Sequence, residues 1–148
     1  MGLTDVTVSL RVPGASNGIY QSVFLVDTGA TDSMAPESEL TKIGIQPVGR
    51  MTYELADGSL HEYSFGLAQI EFMGEITAGR VIFRPESSEP ILGVTALESV
   101  GISIDPTTHT LKRLPAIPLK RSTHGILSRP EPRTGALVDG RKTVETSR

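Results

Sequence analysis

The chain has 148 residues, 38% of them hydrophobic, and a formal net charge of −3; this length suffices for one domain with its own core. It contains no cysteine, which excludes disulfides, thiolate metal sites and cysteine nucleophiles. Its 15 Gly and 10 Pro separate many short β-branched segments, a pattern typical of β-rich folds with frequent turns.

The first third of the chain predicts two strands, an extended segment and a helix. Thr4–Val12 alternates apolar and polar residues as a half-buried strand does. A turn-rich break over 13–18 precedes a second strand, Ile19–Val26, so these two strands form a predicted hairpin. A short extended segment at 33–35 leads to a helix over 37–43, with proline before it and glycine after it.

The middle of the chain predicts a long hairpin. Arg50–Ala56 and Leu60–Phe72 are β segments joined by Asp57-Gly58-Ser59, and Asp-Gly between alternating runs is a strong hairpin signal. A further strand is predicted over Ile76–Phe83, followed by a polar loop over Arg84–Glu89.

The last part of the predicted domain has a short strand, a short helix and a hairpin. Ile91-Leu92-Gly93 is apolar enough for a buried strand, and one or two helical turns follow over Val94–Val100. Ile102–Asp105 and Thr110–Leu114 are predicted to pair across a turn. No internal repeat is found.

Charge and composition change near residue 115. Residues 1–114 carry 7 Lys and Arg against 14 Asp and Glu, whereas residues 115–148 carry 7 against 3. We predict a folded domain over 1–115 and a flexible basic tail, rich in Pro, Ser and Arg, over 116–148. A solvated extension explains the tail better than a binding site for an anionic partner does.

The sequence also carries information about the cellular compartment. Its first residues lack the basic and apolar regions of a signal peptide. No apolar run approaches the roughly 20 residues needed to span a bilayer. We therefore expect a cytoplasmic protein without a membrane partner.

The segment with the most chemical content is Phe24-Leu25-Val26-Asp27-Thr28-Gly29-Ala30. An apolar strand there ends by placing a carboxylate in a tight turn, and a buried carboxylate is costly unless it is hydrogen-bonded or shared. Alone, Asp-Thr-Gly is more often an ordinary turn. Here a hairpin follows about thirty residues later, and Ile91-Leu92-Gly93 with a short helix follows about sixty-five residues later.

This order of motifs resembles the retropepsin-like aspartic proteases (clan AA), the single-domain relatives of pepsin. The similarity covers roughly residues 4–114. The resemblance implies an all-β fold, a closed acid-protease barrel with one or two short helices, and a homodimer that binds an extended peptide or protein. It implies an aspartic endopeptidase, a hydrolase that needs no cofactor and no metal.

The resemblance also implies roles for individual residues. Asp27 is the predicted catalytic residue, Thr28 bonds to its counterpart across the dimer, and Gly29 lets the loop approach the substrate. Support for the catalytic loop is expected from Ile91, Leu92 and Gly93. The hairpin corresponds to the flap that closes over the substrate, and the predicted substrate-binding residues are Ala30, Asp32, Ala56, Asp57, Gly58 and Ser59.

The mechanism explains why one such motif is only half a site. Hydrolysis by this route needs one carboxylate to activate water and a protonated one to give a proton to the carbonyl oxygen. Two neighbouring carboxylates share one proton and so supply both roles. The motif occurs once, so we predict that a two-fold axis brings Asp27 of each subunit together.

Two departures from the viral pattern are visible. Thr31 stands where viral members commonly have an acid, and Val94 stands where they have the arginine that pairs with it. This favours a cellular or bacterial member whose loop and helix are held differently. Asp32 is predicted either to contact substrate or to lie on the helix side or in solvent. Tyr53 is predicted either to line the cleft or to pack within its strand.

Other site chemistries have weaker support. His61, His109 and His124 share no ligand spacing, and Ser33 lacks a partnered base. Few aromatic residues and an acidic body argue against nucleic-acid binding by the fold. Two alternatives stay open: a catalytically weak or inactive dimerisation or peptide-binding module with this fold, and a part of a polyprotein whose tail is a linker or processing site.

Overall fold

The structure, a computed structural model, describes residues 4–119, and the described residues up to Ile117 belong to one compact unit. The predicted tail, 116–148, lies almost wholly outside the described residues. The described part of the chain is mostly β-structure with two short helices. Its elements in chain order are β1 (Thr4–Arg11), β2 (Tyr20–Val26), β3 (Ser33–Pro36), α1 (Glu37–Lys42), β4 (Gly49–Glu54), β5 (Leu60–Phe72), β6 (Glu75–Arg84), β7 (Ile91–Leu92), α2 (Val94–Ser99), β8 (Ile102–Asp105) and β9 (Thr110–Arg113).

Seven of these strands form one sheet in the order β1-β2-β7-β3-β6-β5-β4. β1 also pairs with β5, through Ser9↔Glu71 to Arg11↔Gln69, so β1 has hydrogen-bonded neighbours on both sides. β8 and β9 form a separate two-stranded sheet. Parallel pairing occurs where β2 meets β7 and where β3 meets β6, and these two contacts bring together segments distant in sequence.

The predicted hairpins are confirmed. β1 and β2 pair antiparallel from Thr4↔Val26 to Leu10↔Tyr20, and β4 pairs with the first half of β5 up to Glu54↔Leu60. The second half of β5 pairs with β6 around a two-residue turn at Met73-Gly74. Both turn residues have positive φ, 53° and 78°, as tight hairpin turns matched to the strand twist require.

The core follows from strand alternation. Inward residues of β1 and β2, such as Leu10 and Phe24, are fully buried, while their neighbours in sequence are partly or fully exposed. Each helix contributes apolar residues to the same cluster, Leu40 from α1 and Leu97 from α2. The core therefore lies beneath the strands that precede Asp27 and Gly93, and it fixes the ends of those strands.

One boundary differs from prediction in a way that matters for the site. Arg84 was expected to begin a polar loop, but it is the last residue of β6. Its backbone is held in the sheet because β3 runs parallel to β6 as far as Pro36↔Arg84. The remaining boundaries agree with the prediction to within two residues: β5 has the predicted range, whereas β4 ends at Glu54 rather than Ala56.

Candidate active site

Asp27 is the first residue after β2 and is held by a compact turn. Its N–H donates to the carbonyl of Leu92 at 3.2 Å, and its own carbonyl accepts from the N–H of Ala30 at 3.0 Å. Its Oδ1 accepts a hydrogen bond from the N–H of Gly29 at 2.8 Å. Both the backbone and the carboxylate of Asp27 are thus oriented by hydrogen bonds.

β7 lies directly behind this turn. It runs parallel to β2 with the pairs Leu25↔Ile91 and Val26↔Leu92, and antiparallel to β3 with Met34↔Ile91. β7 therefore joins the strand that enters the Asp27 turn to the strand that leaves it. This is the position that the sequence predicted for Ile91-Leu92-Gly93.

Gly93 occupies a space in which no side chain fits. A Cβ atom at this position would lie 2.5 Å from the backbone carbon of Asp32 and 2.8 Å from the carbonyl oxygen of Thr31. Its N–H donates to the buried Oγ of Ser33 at 3.0 Å. The close approach of two backbones requires glycine here.

The first turn of α2 is bonded to the segment that follows Asp27. The N–H of Val94 donates to the carbonyl of Ala30 at 2.8 Å. The N–H and the hydroxyl of Thr95 both donate to the carbonyl of Thr31, at 3.1 and 2.8 Å. N–H groups of a first helical turn have no partner within their helix, so they are available for these loop carbonyls. Main-chain bonds thus join loop and helix where Thr31 and Val94 replace the viral ion pair.

A cavity of about 850 Å³ opens beside Asp27. It lies between the Asp27 segment, the inner side of β6 and the β4–β5 hairpin. Of the predicted site residues it is lined by Asp27, Gly29, Ala30, Asp32 and Ala56. Its volume lies in the upper part of the range of about 300–1,000 Å³ usual for ligand sites.

Asp32 is buried, with 8% of its surface exposed, so the solvent-facing alternative for this residue is wrong. Its Oδ2 accepts a hydrogen bond from the Tyr53 hydroxyl at 2.7 Å and lies 4.0 Å from Nη1 of Arg80. Burial raises the pKa of Tyr53 to about 12, and the hydrogen bond to the Asp32 carboxylate adds to this rise. Tyr53, which lines the cavity, thus ties β4 to the floor of the cavity.

The tip of the hairpin is a self-contained turn. Oδ1 of Asp57 accepts from the N–H and the hydroxyl of Ser59 at 2.9 and 2.6 Å, and these bonds lower the pKa of the Asp57 carboxyl. Gly58 has φ 85°, a left-handed conformation that glycine adopts without strain. Ala56 reaches the cavity, whereas Asp57, Gly58 and Ser59 lie at the tip outside its lining.

Thr28 is exposed at the surface of the turn. Within residues 4–119 its side chain makes no hydrogen bond. The pairing of Thr28 with its counterpart in a second subunit stays a prediction.

Sequence reasoning missed the basic residues of the cavity. Five residues of β6 line it, and they include Arg80 and Arg84. The period of two along β6 was a usable signal for Arg80, whereas assigning Arg84 to a loop removed it from that pattern. The partnership of Tyr53 with Asp32 spans 21 residues and left no local signal.

The histidines and the helices give little further chemistry. In the described part of the chain, no group of three His, Asp or Glu side chains is arranged to hold a metal ion. His61 stacks on Tyr63 with ring centroids 6.3 Å apart, and His124 lies outside the described residues. Neither helix between residues 4 and 119 is long and apolar enough to cross a membrane.

Comparison with known proteins gives one positive result. Residues 12–99 match the family model described as gag-polyprotein putative aspartyl protease, a retropepsin-like domain. No curated protein matches the chain. The matched segment runs from the end of β1 to the end of α2 and includes the Asp27 turn, the hairpin and Gly93. The chain therefore belongs to the gag-polyprotein aspartyl protease family, as the resemblance of its motifs predicted.

Proposed function

We propose that this protein is an aspartic endopeptidase that acts as a homodimer, with Asp27 of each subunit as the catalytic pair. The observation that carries the proposal is the position of Asp27. It stands on a turn braced by β7 and α2, at the edge of a cavity covered by the β4–β5 hairpin. Such bracing is what preorganised catalysis requires of a reacting group.

In the proposed reaction, a water molecule lies between the two carboxylates. The ionised Asp27 takes a proton from this water while the oxygen attacks the peptide carbonyl carbon. The protonated Asp27 of the other subunit gives its proton to the carbonyl oxygen, which produces a tetrahedral diol. Collapse of the diol breaks the C–N bond, and a proton passes to the leaving amine.

One feature of the fold supports the acid-protease architecture, and another supports the dimeric arrangement. Because β1 pairs with β5 as well as with β2, the strands from β1 to β5 in the sheet order form a closed cycle of paired neighbours. This fits the closed barrel expected of an acid protease. The Asp27 turn leaves Thr28 exposed, so a second copy of the same turn has access to it. A single chain contributes only one Asp-Thr-Gly, and a two-fold axis supplies the second.

The substrate is proposed to be an extended segment of a peptide or protein. Backbone groups at the cavity edge and on the hairpin bind such a segment as an additional strand. The hairpin then acts as the flap, with Ala56 nearest the bound peptide.

The decisive test is cleavage of a diverse peptide mixture by the wild-type chain and by Asp27→Asn. We expect cleavage that a statine-type inhibitor blocks and that falls at least about a thousandfold in the variant, because the acid–base pair is lost. Glu89→Gln is the matched control, since Glu89 is an exposed carboxylate in the loop before β7. Equal activity of wild type and Asp27→Asn would contradict the proposal.

The dimer is tested by sedimentation together with activity at several protein concentrations. We expect specific activity to follow the dimer fraction, because each dimer forms one site. A monomer with full turnover would show that the site is complete in one chain. Peptide binding without Asp27-dependent cleavage would favour the alternative of a non-catalytic binding module.

A further inference from the structure

Arg84 differs from the other arginines that the structure describes. Four of these have a carboxylate within 4.0 Å: Arg11 with Glu71, Arg50 with Glu62, Arg80 with Asp32 and Arg113 with Glu75. Arg84 has none among residues 4–119. The positive charge of a guanidinium cannot be removed by deprotonation in a protein, so Arg84 carries a charge that the described part of the chain leaves without a counter-ion.

The immediate neighbours of Arg84 are a thioether and an aromatic ring, and neither carries a negative charge. Its Nη1 lies 3.2 Å from the sulfur of Met34, and its guanidinium carbon lies 5.2 Å from the centre of the Tyr63 ring. A thioether is a weak acceptor, and a ring face attracts a cation without satisfying its N–H groups. These contacts hold the guanidinium in place and leave most of its donors unused.

One donor of Arg84 is buried without a partner. Its Nε makes no hydrogen bond within the described residues. The nearest acid in sequence, Glu86, is engaged elsewhere, since its carboxylate accepts from both the N–H and the hydroxyl of Ser38. A buried unsatisfied donor is costly, and a bound acceptor would remove that cost.

Arg84 faces the same cavity as Asp27. Ala78, Arg80, Ile82 and Arg84 lie on one face of β6 and line the cavity, and Gly79 lines it as well. The Asp32 carboxylate in this cavity is already bonded to Tyr53 and lies near Arg80. The Arg84 end of the cavity therefore has an uncompensated cation.

We propose that Arg84 forms a specificity subsite for an acidic side chain, Asp or Glu, of the bound peptide. This inference rests on the proposed function, because the peptide that reaches Arg84 is the one held across Asp27. The carboxylate accepts hydrogen bonds from the guanidinium, with the bidentate geometry that arginine offers to carboxylates. The apolar side chains of Met34 and Ile82, which also line the cavity, contact the methylene groups of the acidic residue.

The preference is expected at one peptide position only. Elsewhere the cavity carries the carboxylates of Asp27, Asp32 and Glu54, which repel a further acid. An acidic residue is therefore favoured where the peptide passes Arg84 and disfavoured near the scissile bond. This positional pattern distinguishes a subsite from a general attraction of the cavity for anions.

The first experiment measures binding and does not depend on catalysis. The full-length Asp27→Asn protein is applied to an immobilised array of peptides in which Glu, Asp and Gln are placed at each position in turn. We expect Glu or Asp to bind at least about tenfold better than Gln at one position, because hydrogen bonds to charged groups are strong. No peptide binding, or binding without an acidic preference, would overturn the subsite.

The second experiment assigns the preference to Arg84. In the Asp27→Asn background, Arg84→Gln is expected to abolish the tenfold preference, and Arg84→Glu to replace it with a preference for Lys or Arg at the same position. Arg50→Gln is the matched control, because Arg50 lies on the exposed side of the hairpin and outside the cavity lining. Thermal unfolding establishes that each variant is folded.

Cleavage by the wild-type chain separates this inference from the proposed function. Asp27-dependent cleavage without acidic enrichment at any position leaves the endopeptidase standing and overturns the subsite. An acidic preference in binding that Arg84→Gln removes, without any cleavage, supports the subsite and contradicts the endopeptidase. If Arg84→Glu retains the preference for acids, Arg84 only packs against Met34 and Tyr63 and the inference is wrong.

Discussion

The Asp27 turn and the β4–β5 hairpin are fixed to the body of the molecule in opposite ways. The turn is joined to β7 and α2 by main-chain hydrogen bonds and by the close approach at Gly93. The outer part of the hairpin is exposed, with Leu60 at 68%, and its side-chain bonds to the rest of the molecule include Tyr53 to Asp32 and Arg80 to the sulfur of Met51. The Asp27 turn is thus rigidly held, while the covering hairpin is joined by contacts that break at low cost.

The two kinds of attachment suit two different requirements of an enzyme of the proposed type. Catalysis depends on a group that keeps its orientation, and a displacement of about 1 Å is enough to lower a rate strongly. Substrate entry depends on an element that opens and closes. Backbone contacts of the kind that hold the Asp27 turn suit the first need, and side-chain contacts such as those of Tyr53 and Met51 suit the second.

Gly93→Ala is expected to have the largest effect on stability. The added Cβ meets the backbone of Asp32 at 2.5 Å, and backbone atoms cannot move aside as a flexible side chain does. The free energy of unfolding should fall by about 3 kcal/mol or more, measured by chemical denaturation. Gly79→Ala is the control, because its Cβ would meet only Ile70 Cδ1 at 4.0 Å. Equal stability of the two variants would show that the backbone around Gly93 moves to accommodate the added methyl group.

Ser33→Ala tests the same contact between Gly93 and the segment after Asp27, without adding volume. It removes the buried hydroxyl that accepts from the N–H of Gly93 and leaves that N–H unsatisfied. We expect a loss of about 1–3 kcal/mol in the free energy of unfolding and faster amide exchange at Gly93. Ser87→Ala, in an exposed loop, should change neither quantity. If Ser87→Ala lowered the free energy of unfolding and Ser33→Ala did not, the proposed role of the Ser33 hydroxyl would be wrong.

Tyr53→Phe tests the attachment of the hairpin. The ring stays and only the bond to the buried Asp32 carboxylate is lost, so the free energy of unfolding should fall by about 1.5 kcal/mol. Amide exchange along β4 should accelerate, while exchange at Ala30 in the Asp27 turn should not change. Tyr63→Phe is the control, since the Tyr63 hydroxyl has no hydrogen-bond partner in the part of the chain that the structure describes. Unchanged exchange along β4 would mean that other contacts hold the hairpin.

The raised pKa of Tyr53 gives the smallest and most specific effect. Its folded value is about 12 against an ordinary 10.0, so the folded state holds this proton more tightly than the unfolded chain does. The associated stability is fully present below pH 10 and is lost as the pH rises through 12. Between these values wild type should lose more stability than Tyr53→Phe. If the free energies of unfolding of the two proteins fell in parallel between pH 10 and 12, Tyr53 would not have the raised pKa.

Much of the fold could be predicted because its signals are local. Alternation placed Val8 and Leu10 in the core, and Asp57-Gly58 placed the hairpin turn. Asp27 was singled out because a buried strand ends there in a turn and because the hairpin and Ile91-Leu92-Gly93 follow at later positions. Its catalytic role was implied by the family resemblance and stays a prediction. Its support by Gly93 was inferred from the family resemblance, and the structure places the two segments side by side.

The basic side of the cavity could not be predicted, because it depends on contacts distant in sequence. Arg84 is a strand residue only because β3 lies beside it, and nothing in Arg84-Pro85-Glu86 indicates this neighbour. Likewise, the burial of Asp32 depends on Tyr53 and on β6. Such partnerships arise when the sheet assembles, so a one-dimensional pattern does not contain them.

The pairing of β2 with β7 has a consequence for the order in which the molecule becomes active. Every main-chain partner behind Asp27, from Pro90 to Leu92, leaves the ribosome more than sixty residues after it. A nascent chain therefore exposes its Asp-Thr-Gly long before that motif is held in shape, and contacts of such sequence separation form slowly. A chain truncated after Arg84 should show no amide protection at Asp27, whereas the full chain should. The Asp27 turn therefore takes its final shape only when synthesis of the domain is nearly complete, and the proposed activity would begin no earlier.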